Sequence, residues 1–79
     1  MPRYFFHVHD SVDQPDTEGV EFSGPEEARA QAVTATGEAL RDLDGAFWDG
    51  DREWRMTVTD WQHNTVCVVR VTGARRPPA

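Results

Sequence analysis

Cysteine and long apolar runs are both scarce in this chain. Cys67 is the single cysteine, so no intrachain disulfide can form and a secreted disulfide scaffold is disfavoured. No segment approaches the ~20 apolar residues that a membrane-spanning helix needs, and the first residues lack the apolar core of a signal peptide. We therefore expect a cytoplasmic protein that does not contact a membrane.

Positive charge is also scarce. The chain has 14 acidic residues against eight arginines and contains no lysine, which gives a formal net charge of -6. Two of the arginines, Arg75 and Arg76, lie close to the C-terminal end, so the rest of the chain is more acidic than the total suggests. Nucleic-acid-binding domains normally carry a basic patch that neutralises phosphates. We therefore expect no nucleic-acid partner.

Signatures of catalysis are missing as well. The sequence contains no nucleophile elbow, phosphate-binding loop or dinucleotide-binding fingerprint. The only serines are Ser11, in a loop-forming segment, and Ser23, at a helix start. Cys67 lies inside an apolar run, which is typical of an unreactive structural cysteine. These features predict that the protein is not an enzyme and binds no cofactor.

The length of 79 residues predicts one domain. We assign it to residues 1–73, followed by a disordered tail over residues 74–79 that contains two prolines. A chain this short buries only about 60% of its unfolded surface. Because neither a disulfide nor a cofactor is expected to reinforce such a thin core, association with another subunit would help to stabilise it.

Hydrophobic periodicity predicts five elements in the order β-β-α-β-β. Alternating residues indicate strands over Arg3–His9, about Gly19–Phe22, Glu53–Thr59 and Thr65–Thr72. Helical spacing of small apolar residues extends from Pro25 to about Leu43. We therefore predict an α+β fold, a four-stranded antiparallel sheet in the order 2-1-3-4 with the helix packed on one face.

Local signals mark the two ends of the predicted helix. Ser23 and Glu26 have the spacing of a capping box, in which each side chain bonds the other's backbone amide. Pro25 suits the first helical turn, where its missing N–H costs nothing. Gly45 is placed to end the helix in a left-handed conformation.

The same periodicity assigns side chains to the interior. The predicted core consists of Tyr4, Phe6, Val8, Val20, Phe22, Ala32, Ala35, Ala39, Leu40, Leu43, Trp54, Met56, Val58, Cys67, Val69 and Val71.

Three sequence motifs together suggest a family relationship. The chain opens with Met-Pro-Arg-Tyr-Phe-Phe-His, continues with the Asp-Thr-Glu-Gly-Val-Glu segment at residues 16–21, and has Pro-Glu-Glu-Ala-Arg-Ala at residues 25–30. These motifs resemble those of a family of small uncharacterised bacterial proteins, a domain of unknown function. The resemblance spans about residues 1–71, although the turn at residues 61–64 lacks the family's usual glycine. It implies a domain of this type and implies no activity, substrate or catalytic residue.

The sheet face opposite the predicted helix is the candidate binding surface. Its mixture of aromatic, arginine and valine side chains is typical of protein interfaces. The predicted partner-binding residues are Phe5, His7, His9, Arg55, Val66, Val68 and Arg70. An ordinary solvent-exposed face with a few valines is the alternative interpretation.

His7 and His9 provide a second hypothesis because they point to the same side of one strand. Such a pair can supply two imidazoles to a metal ion, with His63, Asp60 or Asp10 as a third ligand. No other metal-binding motif accompanies them, so we predict no metal site. The functional expectation is therefore a protein-binding or assembly module that binds another protein, itself or both, most simply as a two-fold homodimer. A metal- or small-ligand-binding module using His7 and His9 is the alternative.

Overall fold

A computed structural model describes residues 1–43, 45–48 and 53–73. The strands are β1 (Arg3–His9), β2 (Asp13–Gln14), β3 (Val20–Glu21), β4 (Glu53–Thr59) and β5 (Thr65–Thr72). The helix α1 covers Pro25–Arg41, and a short 3-10 helix covers Gly45–Trp48. The predicted disordered tail, residues 74–79, lies outside the described residues.

The predicted α+β fold is confirmed, although the sheet differs in detail. Strands β1, β4 and β5 form an antiparallel sheet in which β4 is central. The other edge of β1 is shared by two short strands: β3 pairs with Arg3 and Tyr4, and β2 pairs with Val8 and His9. The sheet therefore has five strands instead of four, because the loop after β1 turns back and forms β2.

The helix begins and ends differently from the prediction. Gly24 is the N-cap and makes no side-chain capping bond. The side chain of Glu27, and not that of Glu26, reaches back and accepts a hydrogen bond from the Ser23 hydroxyl. The helix ends at Arg41, with Asp42 as the C-cap, so the proposed glycine stop at Gly45 is wrong. That glycine begins the 3-10 helix instead.

The core lies between α1 and the sheet. Its buried apolar residues are Tyr4, Ala28, Ala32, Trp54, Met56 and Val58. Other predicted core residues, among them Phe6 and Phe22, pack against this cluster while remaining partly exposed. Ala28 and Ala32 are fully buried between α1 and the sheet, so the small apolar side chains of the helix face the sheet as their spacing predicted.

Two predicted core residues are exposed. Val20 is 49% exposed and Leu40 is 38% exposed. Because α1 packs over β4 and β5, it does not cover the short strand β3 that carries Val20. Thr36, which was not predicted, is buried, and its hydroxyl donates to the Ala32 carbonyl oxygen at 2.7 Å.

Within the described residues, no helix combines the length and apolar character that crossing a bilayer would require.

Candidate functional site

The face of the sheet turned away from α1 is the candidate site. Side chains on this face alternate with the core residues along each strand. We call it the open face, and it comprises Phe5, His7, His9, Arg55, Thr57, Thr59, Val68 and Arg70. Within the part of the chain that the structure describes, neither helix packs on it. Six of the seven predicted partner-binding residues lie there.

Val66 is the exception, because β5 contains a bulge. Thr59 pairs with Thr65, whereas the preceding Val58 pairs with Cys67. Val66 is therefore an extra residue between two ladder pairs, and such a residue shifts the alternation of its strand. Its side chain packs against the core, so the assignment of Val66 to the partner-binding face is wrong.

Both ring nitrogens of His7 make hydrogen bonds inside the protein. The backbone N–H of Asp16 donates to His7 Nδ1 at 3.1 Å, so Nδ1 carries no proton. The proton of the neutral ring is then on Nε2, which donates to Thr59 Oγ1 at 3.0 Å. His7 thus connects β1 to β4 on one side and to the loop after β2 on the other.

The Asp16 carboxylate fills the gap between β2 and β3 on the edge of β1. One oxygen accepts the Phe6 backbone N–H at 3.1 Å, at a point on this edge that neither β2 nor β3 reaches. The other oxygen accepts the amides of Glu18 at 3.0 Å and Gly19 at 3.1 Å. Partial burial acts to raise the pKa of Asp16, but these three amide hydrogen bonds hold it below its ordinary value.

A cleft of about 350 Å³ opens beside His7 at one end of the open face. It is lined by Phe5, His7, Asp16, Thr17, Thr59 and His63. The rings of Phe5 and His7 form one wall; they are nearly parallel, at 13°, with centroids 6.4 Å apart. His63, which also lines the cleft, has a left-handed backbone with φ of 67°. We call this the Phe5–His7 cleft.

The Phe5–His7 cleft depends on a glycine behind its aromatic wall. Gly19 has φ of +70°, and a Cβ there would lie 2.8 Å from the Tyr4 carbonyl oxygen and 2.9 Å from Phe5 Cε2. No other residue type combines that conformation with so close an approach. Gly19 therefore lets the loop that carries Asp16 lie directly against the Phe5 ring.

Three basic side chains form a row across the open face. His9 pairs with Arg55 across the β1–β4 ladder, and Arg55 pairs with Arg70 across the β4–β5 ladder. His9 Nδ1 lies 2.9 Å from the Asp13 carboxylate, and Arg70 Nε lies 3.2 Å from that of Glu53. Arg55 differs: its Nε is buried and has no hydrogen-bond partner in the described part of the chain.

The residues considered in the alternative hypothesis as metal ligands are not assembled into a metal site in the described part of the chain. The described residues contain no group of three histidine, cysteine or acidic side chains placed to hold an ion. His7 could bind a metal only after losing one of its two hydrogen bonds, and His9 Nδ1 is occupied by Asp13.

Sequence reasoning gave Asp16 no role, yet its side chain organises the loop between β2 and β3. A signal was present, because an aspartate side chain commonly accepts the backbone N–H two residues further on and forms an Asx turn. His63 was considered only as a third metal ligand. The position of Thr59 and His63 beside His7 could not be found from the sequence, because only strand pairing and the β4–β5 turn bring these residues together.

These observations define a small α+β domain whose exposed sheet face is flanked by an organised loop. The chain belongs to a family described as a domain of unknown function (DUF6894), whose model matches residues 3–72. Comparison with curated proteins and with solved structures gave no match.

Proposed function

We propose that this domain is a cytoplasmic, non-enzymatic protein-binding or assembly module, and that it binds through the open face. The observation that carries the proposal is the composition of that face. It combines the Phe5–His7 cleft, the 39% exposed Val68 and the arginine pair Arg55 and Arg70 on one side of a rigid sheet. Aromatic and arginine side chains are enriched at protein interfaces.

The Phe5–His7 cleft suits an anchoring side chain of a protein partner. Its volume of about 350 Å³ is near the lower end of the range for small-molecule sites, ≈ 300–1,000 Å³. Three of its lining residues, Phe5, His7 and Thr59, belong to the open face, so an occupant can continue from the cleft onto that face. Binding energy at interfaces is concentrated where a few side chains fill such recesses.

A second copy of the chain is the partner that we propose first. A two-fold pairing of open faces would cover Phe5 and Val68 in both subunits at once. It would also add buried apolar surface to a domain whose own core contains few fully buried large side chains. Strand β5, which pairs only with β4 among the described strands, would lie at the border of the same contact.

The pKa of the Cys67 thiol supports the proposal that the domain is not an enzyme. Burial raises the pKa of Cys67, although the charge of Arg29 acts in the opposite direction. Less thiolate is then present at neutral pH, and the thiolate is the nucleophilic form. The net charge of -6 similarly favours a protein partner over a nucleic acid.

The alternative, a metal- or small-ligand-binding module using His7 and His9, has less support. His7 uses both ring nitrogens within the protein, and its Nδ1 is oriented toward a backbone amide instead of toward His9. A metal ion would have to displace that amide from a loop which Asp16 also holds in place.

Sedimentation velocity over micromolar concentrations tests the proposal. We expect a concentration-dependent dimer that Val68→Glu weakens, because the new carboxylate would be buried in the contact. Val33→Glu is the matched control, since Val33 is 68% exposed on α1, away from the open face. A wild-type monomer throughout this range would reject self-association, and equal weakening by both variants would reject the open face as its surface.

A further inference from the structure

Arg55 combines enclosure with an unmet hydrogen bond. It lies on the central strand β4, with His9 and Arg70 as its neighbours on either side. Its Nε is the only buried side-chain nitrogen or oxygen without a partner in residues 1–43, 45–48 and 53–73. An unpaired buried donor costs the full desolvation energy of the group, and the cost is larger for a charged one.

Neighbouring cations in the sheet show what Arg55 lacks. Arg3 lies 3.2 Å from the Glu21 carboxylate, and Arg70 lies 3.2 Å from that of Glu53. Both of these arginine side chains are more than 40% exposed, so water could solvate them without a carboxylate. Arg55 is partly buried, and its Nε is fully enclosed. Water therefore reaches Arg55 less easily than it reaches Arg3 and Arg70, and an anion would stabilise Arg55 more.

The geometry of the row selects the kind of anion. Carboxylates of this chain already contact the basic side chains on both sides, Asp13 at His9 and Glu53 at Arg70. A further carboxylate above Arg55 would give the middle side chain of the row an acceptor as well. Guanidinium binds carboxylate through two parallel N–H···O bonds, and one such pair uses Nε.

We propose that Arg55 is the recognition residue of the open face and binds a carboxylate presented by a second copy of this chain. The inference rests on the proposed function, because the second copy docks on the same face. Charge complementarity supports this occupant: the carboxylates of Asp13 and Glu53 border the row of basic side chains, on the face that the second copy brings to Arg55. In a pairing of open faces each subunit therefore offers two carboxylates to Arg55 of the other. In a two-fold dimer this contact is made twice.

Acetate tests the carboxylate site independently of any dimer. The experiment uses 15N-labelled protein that is dilute enough to be monomeric, and chloride is replaced by acetate at constant ionic strength. The Arg55 Nε–H resonance should shift with increasing acetate until the site is saturated. Arg55→Lys keeps the charge and loses the planar fork, so we expect acetate to bind about tenfold more weakly, as judged from the perturbed backbone amides. No acetate-dependent shift, or equal binding by Arg55→Lys, would overturn the site.

Thermal unfolding supplies a second readout that a merely structural arginine would not give. Arg55→Met removes an uncompensated charge, so the melting temperature of the monomer should rise while acetate binding is lost. Arg70→Met is the matched control: it lies on the same face, already has Glu53, and should leave acetate binding intact. A lower melting temperature for Arg55→Met would show that Arg55 supports the fold and would contradict the proposal.

Sedimentation then identifies the source of the carboxylate. Arg55→Met should weaken the dimer at least as much as Val68→Glu does, and excess acetate should weaken the wild-type dimer but not the residual Arg55→Met dimer. A dimer that persists unchanged in Arg55→Met refutes recognition by a second copy, while the proposed assembly function still stands. A protein that never dimerises fails both proposals, even if acetate binds.

Discussion

Replacing Asp16 by asparagine tests the hydrogen bonds that hold the loop between β2 and β3 on the sheet. Asparagine keeps one oxygen, which can still accept the amides of Glu18 and Gly19. Its NH₂ group cannot accept the Phe6 N–H that the second carboxylate oxygen accepts at 3.1 Å. The substitution therefore removes one acceptor and the negative charge with almost no change in size.

The expected loss of stability follows from the three hydrogen bonds that the Asp16 carboxylate accepts. Leaving the half-buried Phe6 N–H unpaired costs about 1–2 kcal/mol. Replacing a charged acceptor by a neutral one for the two loop amides costs about 1 kcal/mol more, since solvent reaches the loop. We expect the free energy of unfolding to fall by about 2–3 kcal/mol at pH 7, a large share of the stability of a small domain.

Urea unfolding followed by tryptophan fluorescence measures this change. Asp10→Asn is the matched control, because Asp10 is exposed and its carboxylate makes no hydrogen bond to the described residues; its effect should stay within about 0.5 kcal/mol. An Asp16→Asn protein as stable as the wild type would refute the role assigned to the carboxylate.

The pH dependence gives an independent test with a defined sign. The pKa of Asp16 is lower in the folded protein than its ordinary value of 3.8. Its stabilising contribution is therefore complete above about pH 4 and is lost as the pH falls through the lowered pKa. The stability difference between wild type and Asp16→Asn should narrow in that acid range. Asp60, whose pKa is also lowered, is present in both proteins and cancels.

Three further substitutions test the packing. Gly19→Ala should destabilise the domain by about 1–3 kcal/mol, because φ is +70° and the new Cβ would meet the Tyr4 carbonyl oxygen. Gly37→Ala, in open space on α1, should instead stabilise the domain by up to about 1 kcal/mol. If both glycine substitutions shifted the melting temperature in the same direction, this reasoning would be contradicted. Phe6→Ala should cost about 2–3 kcal/mol in urea titration, below the value for full burial, because Phe6 is half-buried. An unchanged midpoint would place Phe6 outside the core.

The amino-acid sequence by itself determined the regular elements. Strands β1, β4 and β5 have the predicted bounds, and α1 begins at Pro25 as predicted. Alternation and helical spacing are properties of neighbouring residues, so they can be read without knowing what lies across the sheet. The pairing of β1 with β4 also followed, because few chain paths suit this order of elements.

Tertiary structure decided where that alternation fails. Val66 joins the core only because the ladder between β4 and β5 contains a bulge, and a bulge is defined by two strands together. Val20 stays exposed because α1 packs over β4 and β5. Neither outcome is encoded in the hydrophobicity of the residue concerned.

Some features of the candidate site could be predicted from the sequence, and others were set only by tertiary structure. Alternation placed Phe5, His7 and Arg55 on one face, since that requires only the strand period of two. His7 makes hydrogen bonds to Thr59, which is 52 positions away in the chain, and to Asp16, which is nine positions away. These hydrogen bonds form only after the strands pair and the loop closes. The unmet hydrogen bond of Arg55 is also a tertiary property, because burial and partners are set by every element that surrounds the side chain.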